Sequence, residues 1–431
     1  MKRQTGFYGW KLLAAMWVIT GVSSGFTYYG GNIMNSHMAV EMNLDRKSLG
    51  MAFGTFALCM GLTVPLVGFC VNRWGPRRML CIGTLLAGLG ALAMALLVED
   101  MTGVLLAYGL VMGIGASMSG MLPAQTLVTH WFRQRVALAM TIMLTGTATG
   151  GLIAAPLFEN VIVAFGGDWR TGWVAMSIAC AVSCVVATIF VRDRPADLGQ
   201  FQDGIVETCA PASAATALQG PTGVYKTRED WPFQDVLRHP AWWLMVLGTV
   251  CFLTTFGMMV GHGVVHFKDL GHDAATAALF LALLPLTGLT GKLVVAILGD
   301  RVELRFLWGG AMAMMAAGTV VAVTATSTAA LFGAAFLVGA GSAAAYPCMI
   351  TLVANYFGKA AYASLMGVML LVGALAVAAG PLLAGIVFDR FGTYLLAFYS
   401  AAAVCLLGGL MVLFARPPEQ RQASPANCPA T

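Results

Sequence analysis

From its N-terminus the chain alternates between long apolar stretches and short polar breaks. The apolar stretches run approximately over 9–33, 48–71, 79–98, 103–127, 136–162, 170–191, 241–266, 275–298, 306–325, 329–353, 362–388 and 394–415. A hydrocarbon core about 30 Å thick is crossed by about 20 apolar residues in a helix. Each stretch is too long for a buried strand and too continuously apolar for a surface helix. The pattern predicts an all-α membrane protein with twelve transmembrane helices. The first stretch is long enough to span and has no small-residue cleavage site after it, so it is expected to be the first span, not a removable leader.

The longest break runs from Arg192 to His239, and its middle, Thr208 to Gly223, is rich in Ala, Pro, Ser and Thr. Such a composition reads as a flexible connector. The expected organisation is a six-helix half over 1–191, a linker over 192–240, a second six-helix half over 241–415 and a tail over 416–431. The halves repeat one another. Met112-Gly113-Ile114-Gly115 returns as Val338-Gly339-Ala340-Gly341, Trp131-Phe132 as Tyr356-Phe357, Pro123 as Pro347 and Pro156 as Pro381. Asn72-Arg73 after the second stretch corresponds to Asp300-Arg301 after the eighth. Two parallel repeats predict pseudo-symmetric halves handling a substrate near the membrane midplane.

Composition agrees with this picture. Apolar residues make up 59% of the chain and charged residues 10%, against roughly 25% charged in a soluble domain. The net charge of +5 matters through its placement. With the N-terminus cytoplasmic, 18 basic residues fall on the cytoplasmic side and 5 on the other, the bias expected of inward-facing loops. Both termini are then expected in the cytoplasm, and the basic excess is not a nucleic-acid footprint. The ten cysteines are scattered, without a Cys-x-x-Cys pair, and read as small packing residues. No phosphate-binding loop, metal-ligand cluster or catalytic constellation is visible, so neither an enzyme nor a cofactor is expected.

One charge stands out. Lys292 lies in Leu289-Thr290-Gly291-Lys292-Leu293, eight residues before the next acid, Asp300. A charge at that depth costs about 2.5–3.5 kcal/mol on insertion scales. It is expected to face the bundle interior and to meet an anion. The bland alternative is a lysine whose stem reaches the interface, about 12 Å away. The adjacent Gly288 and Gly291 favour a protein-facing side. Tyr28, Tyr29 and Asn32 in the first stretch, Ser117, Ser119 and Gln125 in the fourth and Tyr346 in the tenth are further candidate liners. His262 and His266 lie one turn apart in the seventh stretch and are candidates for gating or proton coupling, because histidine titrates near neutral pH. Met258, a turn earlier, leaves a soft-metal ladder as an alternative.

Gly68-Phe69-Cys70-Val71-Asn72-Arg73-Trp74-Gly75-Pro76-Arg77-Arg78 resembles the G-x-x-x-D-R-x-G-R-R loop of the major facilitator superfamily, with Asn72 where the family has an acid. Partial copies end the eighth stretch at Asp300-Arg301 and the eleventh at Asp389-Arg390. The resemblance implies a conformational-switch loop built from Asn72, Arg73, Arg77, Asp300 and Arg301. It also implies that the first, fourth, seventh and tenth helices line the cavity. Phe7-Tyr8-Gly9-Trp10, Gly166-Gly167-Asp168-Trp169-Arg170 and His266 followed by Asp269-Leu270-Gly271 are similar to the bacterial monocarboxylate and oxalate/formate transporter group.

In that group Lys292 falls where arginine is usual. Lysine offers a point charge, arginine a planar fork. The second cation of the dianion carriers is missing, because residues 362–388 contain no Lys, Arg or His. Gly25-Phe26-Thr27-Tyr28 resembles the animal monocarboxylate carriers, but Asn32 stands where they have a functional lysine.

The resemblance therefore implies a monomeric secondary carrier in the bacterial inner membrane. Its expected partners are the lipid bilayer and a small carboxylate, a monocarboxylate before a dicarboxylate, moved with protons or by exchange. Import of a transition metal such as copper, and efflux of a drug or metabolite, are the alternatives.

Overall fold

The computed structural model describes residues 6–42, 46–205, 224–227 and 229–419. The middle of the linker and the end of the tail therefore lie outside the described residues. Among the described residues the chain is helical, and the helices carry the predicted spans. Helix α1 is a continuous helical run in three stretches, Gly9–Thr20, Gly21–Gly30 and Gly31–Glu41. It is followed by α2 (Arg46–Trp74), α3 (Pro76–Leu96), α4 (Met101–Trp131), α5 (Val136–Ala164) and α6 (Trp169–Phe190). The second set is α7 (Pro240–Asp269), α8 (Ala274–Leu298), α9 (Leu304–Val323), α10 (Thr328–Phe357), α11 (Tyr362–Phe391) and α12 (Leu395–Leu413). Eleven of these, α2 to α12, contain stretches long and apolar enough to cross a bilayer, and α1 completes the twelve.

Lipid tails are as apolar as leucine, so helices in a bilayer associate through close packing of small residues. Helices α1 and α5 do this with glycine on both sides. A Cβ added at Gly25 would lie 2.7 Å from the Gly151 nitrogen, and one at Gly21 would lie 3.2 Å from the Gly146 oxygen. The second half repeats the arrangement between α7 and α11, where Gly257 packs on Val377 and Gly261 on Pro381. Between halves, α2 packs along α11 and α5 along α8.

Three local features depart from plain spanning helices, one of them a π-wound stretch of α4 over Leu105–Met112. The middle of α1, Gly21–Gly30, is wound as a π-helix, a form frequent at functional sites. Helix α4 is broken at Gly120, whose ψ of −150° is not helical. The sequence explains the break. Pro123 has no N–H to give to the carbonyl of Ser119, four residues earlier. That carbonyl instead accepts from the Ser23 hydroxyl of α1 at 2.9 Å. Backbone freed inside a membrane must find another donor, and here α1 supplies it.

Both described ends of the chain lie at one end of the bundle. The Tyr8 amide donates to Gln200 and its hydroxyl to the Phe190 carbonyl, both at 2.9 Å. The Tyr225 hydroxyl reaches the Pro418 carbonyl at 2.8 Å. We call this the terminal face and the opposite one the distal face.

Candidate functional site

The halves meet from mid-bundle to the terminal face. On one seam, a Cβ at Gly68 of α2 would touch the Ala363 oxygen at 2.6 Å, and one at Gly367 of α11 would touch Pro65 at 3.2 Å. On the other, a Cβ at Gly299 would lie 2.8 Å from Ala137 of α5. Helices α1 and α7 share no extended packing interface among the described residues. The seam between halves is therefore closed at the terminal face.

The terminal closure is built from the predicted switch residues, unequally. Asp300 accepts from the backbone N–H groups of Ala137 and Leu138 at 3.2 and 3.0 Å, so its carboxylate caps the start of α5 in the other half. A helix start favours negative charge. Lys226 of the linker lies 3.1 Å from the same carboxylate and also donates to the Arg133 and Gln134 carbonyls. On the α2–α11 seam the Asn72 amide donates to the Ser364 hydroxyl at 2.7 Å. Arg77 stays within its own half. Its backbone N–H reaches Asp193 at 2.8 Å, and its guanidinium reaches the Thr188 carbonyl at 2.7 Å. Gly75, at φ 87°, makes the tight turn between α2 and α3 beside Asp193. Asp193 thus receives the start of α3 within the first half, while Asn72 faces α11 across the seam. Arg73 and Arg301 are exposed, and their side chains make no polar contact among the described residues.

Lys292 sits on the seam above this closure. Gly288 and Gly291 press α8 against Ala343 and Ala340 of α10. Lys292 is seven residues from Gly299, two turns on the same side of the helix, so it shares the face that closes on α5. It is half-buried and has no hydrogen bond or ion pair among the described residues. The Thr147 hydroxyl of α5 is also buried without a partner.

Further unpartnered polar groups line α4, α10 and α11. The hydroxyls of Ser117 and Tyr362 are buried without a partner, and the Gln125 amide is buried beside Tyr346. Tyr346 lies within electrostatic reach of Gln125 and of Tyr362, and its hydroxyl meets the Met121 sulfur at 3.5 Å. Gln125 and Tyr346 therefore come together, joined by Tyr362, which the sequence did not single out. Tyr28 packs on Phe53 at 5.1 Å between ring centroids. The side chains of Tyr29 and Asn32 lie outside the described residues. Ser119 is engaged, donating to the Gly115 carbonyl at 2.8 Å.

The two histidines of α7 are tied down. The His262 ring lies 3.1 Å from the Tyr394 hydroxyl and 3.0 Å from the Pro381 carbonyl, one contact for each nitrogen. His266 is 3% exposed, bonds the Val323 carbonyl at 3.2 Å and packs on Phe398. Together they join α7 to α9, α11 and α12.

A sequence profile described as the Major Facilitator Superfamily matches residues 16–301 and 263–428. The chain belongs to the major facilitator superfamily. It is a multi-pass membrane protein. Curated relatives include the riboflavin transporter RibJ of Trypanosoma brucei brucei, 33% identical over 177 residues, which are 40% of this chain and 31% of that protein. Monocarboxylate transporter 13 of Bos taurus is 26% identical over 266 residues, 61% of this chain and 54% of that protein. Monocarboxylate transporter 14 of Mus musculus is 28% identical over 214 residues, 46% of this chain and 40% of that protein. The chain thus spans about half or less of the length of these curated relatives. In fold it is similar to the E. coli fucose:proton symporter FucP, with a TM-score of 0.69 at 15% identity over 95% of this chain and 99% of that one. The human organic anion transporter MFSD10 gives 0.68 at 16% identity over 93% and 99%. At such identities the likeness carries the superfamily fold alone.

Proposed function

We propose that the protein moves a small organic anion, a monocarboxylate, by alternating access, with Lys292 neutralising the carboxylate. The observation that carries this reading is an unpaired lysine on the face of α8 that closes against α5. Relatives named monocarboxylate transporters support the substrate class. The absence of Lys, Arg and His over 362–388 favours a single negative charge. Gln125, Tyr346 and Tyr362 would supply hydrogen bonds to the rest of the cargo, and the aromatic residues of α1 would cover it from the distal side. The halves 1–191 and 241–415 would rock about this centre, with the linker and tail on the terminal face.

The basic bias of the loops supports a cytoplasmic terminal face and, for a bacterial chain, the inner membrane. The reading takes a single copy as the working unit. His262 has both ring nitrogens engaged, which weighs against the copper ladder and for a fixed joint in the rocking half.

Uptake of radiolabelled monocarboxylates into proteoliposomes tests the reading. Wild type should accumulate one of them, and Lys292→Ala should lose uptake while remaining folded. Lys292→Arg should retain part of it, because the charge persists in a different shape. Full uptake by Lys292→Ala would remove the site.

A further inference from the structure

A cavity of about 300 Å³ opens on the terminal face, between the halves and the linker. Its walls come from three parts of the chain. The first half contributes Arg133, in the turn between α4 and α5. The linker contributes Lys226 and Asp230, and the second half Asn355 and Lys359, at the end of α10. Neither Lys292 nor the histidines of α7 line it.

Donors dominate its polar groups. Arg133 is half-buried and carries the permanent charge of a guanidinium. The Lys359 side chain is exposed and makes no hydrogen bond or ion pair among the described residues. The Asn355 amide nitrogen is buried without a hydrogen-bond partner. Its backbone carbonyl is engaged, accepting from the Thr227 N–H of the linker at 2.8 Å. A buried donor left unpaired costs free energy that an added acceptor restores. The lining acids are otherwise placed. One Asp230 oxygen accepts from the backbone N–H groups of Lys359 and Ala360 at 2.7 and 3.2 Å, and Glu229 is exposed.

The placement of the walls adds a second point. Terminal closure draws Arg133 of one half toward Lys359 of the other, and like charges repel. An anion between them turns that repulsion into attraction. When the terminal face parts, the two walls separate and the cavity is lost as a single site. A ligand that binds one of two states shifts the population toward it.

We propose that this cavity is a regulatory site for a small anion bearing phosphate groups, which holds the terminal face shut. Two cations on opposite walls favour an anion with at least two charges, and phosphate carries them on one compact group. Its oxygens also match the guanidinium fork. The volume lies at the lower end for small-molecule sites and suits a ligand of the size of pyrophosphate. Bound there, the anion would slow transport without touching the cargo site. The inference rests on the halves parting at the terminal face and not on the identity of the cargo.

The test uses the full chain in nanodiscs of zwitterionic phosphatidylcholine, with sodium pyrophosphate against sodium chloride of equal ionic strength. Hydrogen exchange over residues 136–140, at the start of α5, reads opening of the terminal face. Pyrophosphate should protect wild type saturably, by about fivefold or more, the low end of coupling between sites. Lys359→Gln keeps the backbone N–H that holds Asp230, so in chloride it should exchange no faster than wild type. In pyrophosphate it should lose most of the protection. Equal protection in Lys359→Gln, or none beyond the chloride control in wild type, overturns the proposal. Asp300→Asn separates the site from the motion. Quickened exchange in that variant, with no response to pyrophosphate in either chain, overturns the site and leaves the motion standing. Protection by phosphatidylglycerol in place of pyrophosphate, lost in Lys359→Gln, would assign the same phosphate chemistry to a lipid headgroup.

Discussion

The Lys226 ammonium lies 3.1 Å from the Asp300 carboxylate, both side chains nearly buried at 17% and 16% exposure. A linker residue thereby closes a joint between the halves. Because Asp300 also caps α5, one carboxylate serves three donors across the seam.

Removing that carboxylate should loosen the terminal closure. A partly buried charge at a helix start contributes up to about 2 kcal/mol, and a charge-assisted hydrogen bond is stronger than a neutral one. Asp300→Asn is expected to raise the population open at the terminal face by about five- to thirtyfold, the factor that 1–2 kcal/mol gives. Hydrogen exchange at residues 136–140 should quicken accordingly. Lys226→Ala should act in the same direction and more weakly, because the backbone donors remain.

The opposite change is available on the other seam. Asn72→Asp places a carboxylate near the start of α11, a gain of about 0.3–1 kcal/mol for the closed arrangement. Slower exchange over residues 362–366 would show it. An unchanged rate would mean that the Ser364 contact, not the helix start, sets this joint.

Lys292 should cost stability where it supplies function. Replacing an unpaired membrane charge by an apolar side chain of similar length removes about 2.5–3.5 kcal/mol of insertion cost. Lys292→Met is therefore expected to melt higher than wild type in detergent while losing uptake. A lysine that only reaches for the interface would give the reverse, normal uptake without added stability.

The glycine contacts predict a sharp contrast between positions. At Gly25, a Cβ would lie 2.7–2.8 Å from the backbone of Gly150 and Gly151. Neither backbone can yield without parting α1 from α5. Gly25→Ala should cost about 1–3 kcal/mol, the usual range for overpacking. Gly310 of α9 has nothing within 4 Å of its Cβ position. Gly310→Ala should be neutral or stabilise by up to about 1 kcal/mol through helix propensity. Thermal melts of the two variants, side by side, make the comparison.

A small acid response is expected at the distal end of α1. The hydrogen bond from Arg170 holds the Glu41 carboxyl below its usual range. A depressed carboxylate contributes stability above its unfolded value, about 4.3, and loses it as pH falls through the folded value. The pair is exposed, so the effect should stay below about 1 kcal/mol and shrink with added salt. Melting of Glu41→Gln against wild type across the acid range measures it.

The spans were legible because a bilayer demands length and apolarity, and both are plain in the sequence. Lys292 was legible because one charge among apolar neighbours has few explanations. Asp300 was marked by its Asp-Arg pair, but its partners were not. Backbone N–H groups at the start of α5 carry no residue signature, and Lys226 sits in a linker that composition describes only as polar. The break in α4 shows a different limit. Pro123 and Pro347 occupy matching places, yet α10 runs on through Pro347. The Ser23 hydroxyl, 100 residues upstream of Pro123, takes up the Ser119 carbonyl at the break.

The two seams differ in the kind of fastening that holds them. The α5–α8 seam has an ion pair and a capped helix; the α2–α11 seam has close glycine packing at Gly68 and Gly367 and one neutral amide–hydroxyl contact. Salt screens charges and leaves packing alone. Rising ionic strength should therefore slacken the α5–α8 side more than the α2–α11 side, so that the pivot of the opening swing shifts toward α2 and α11.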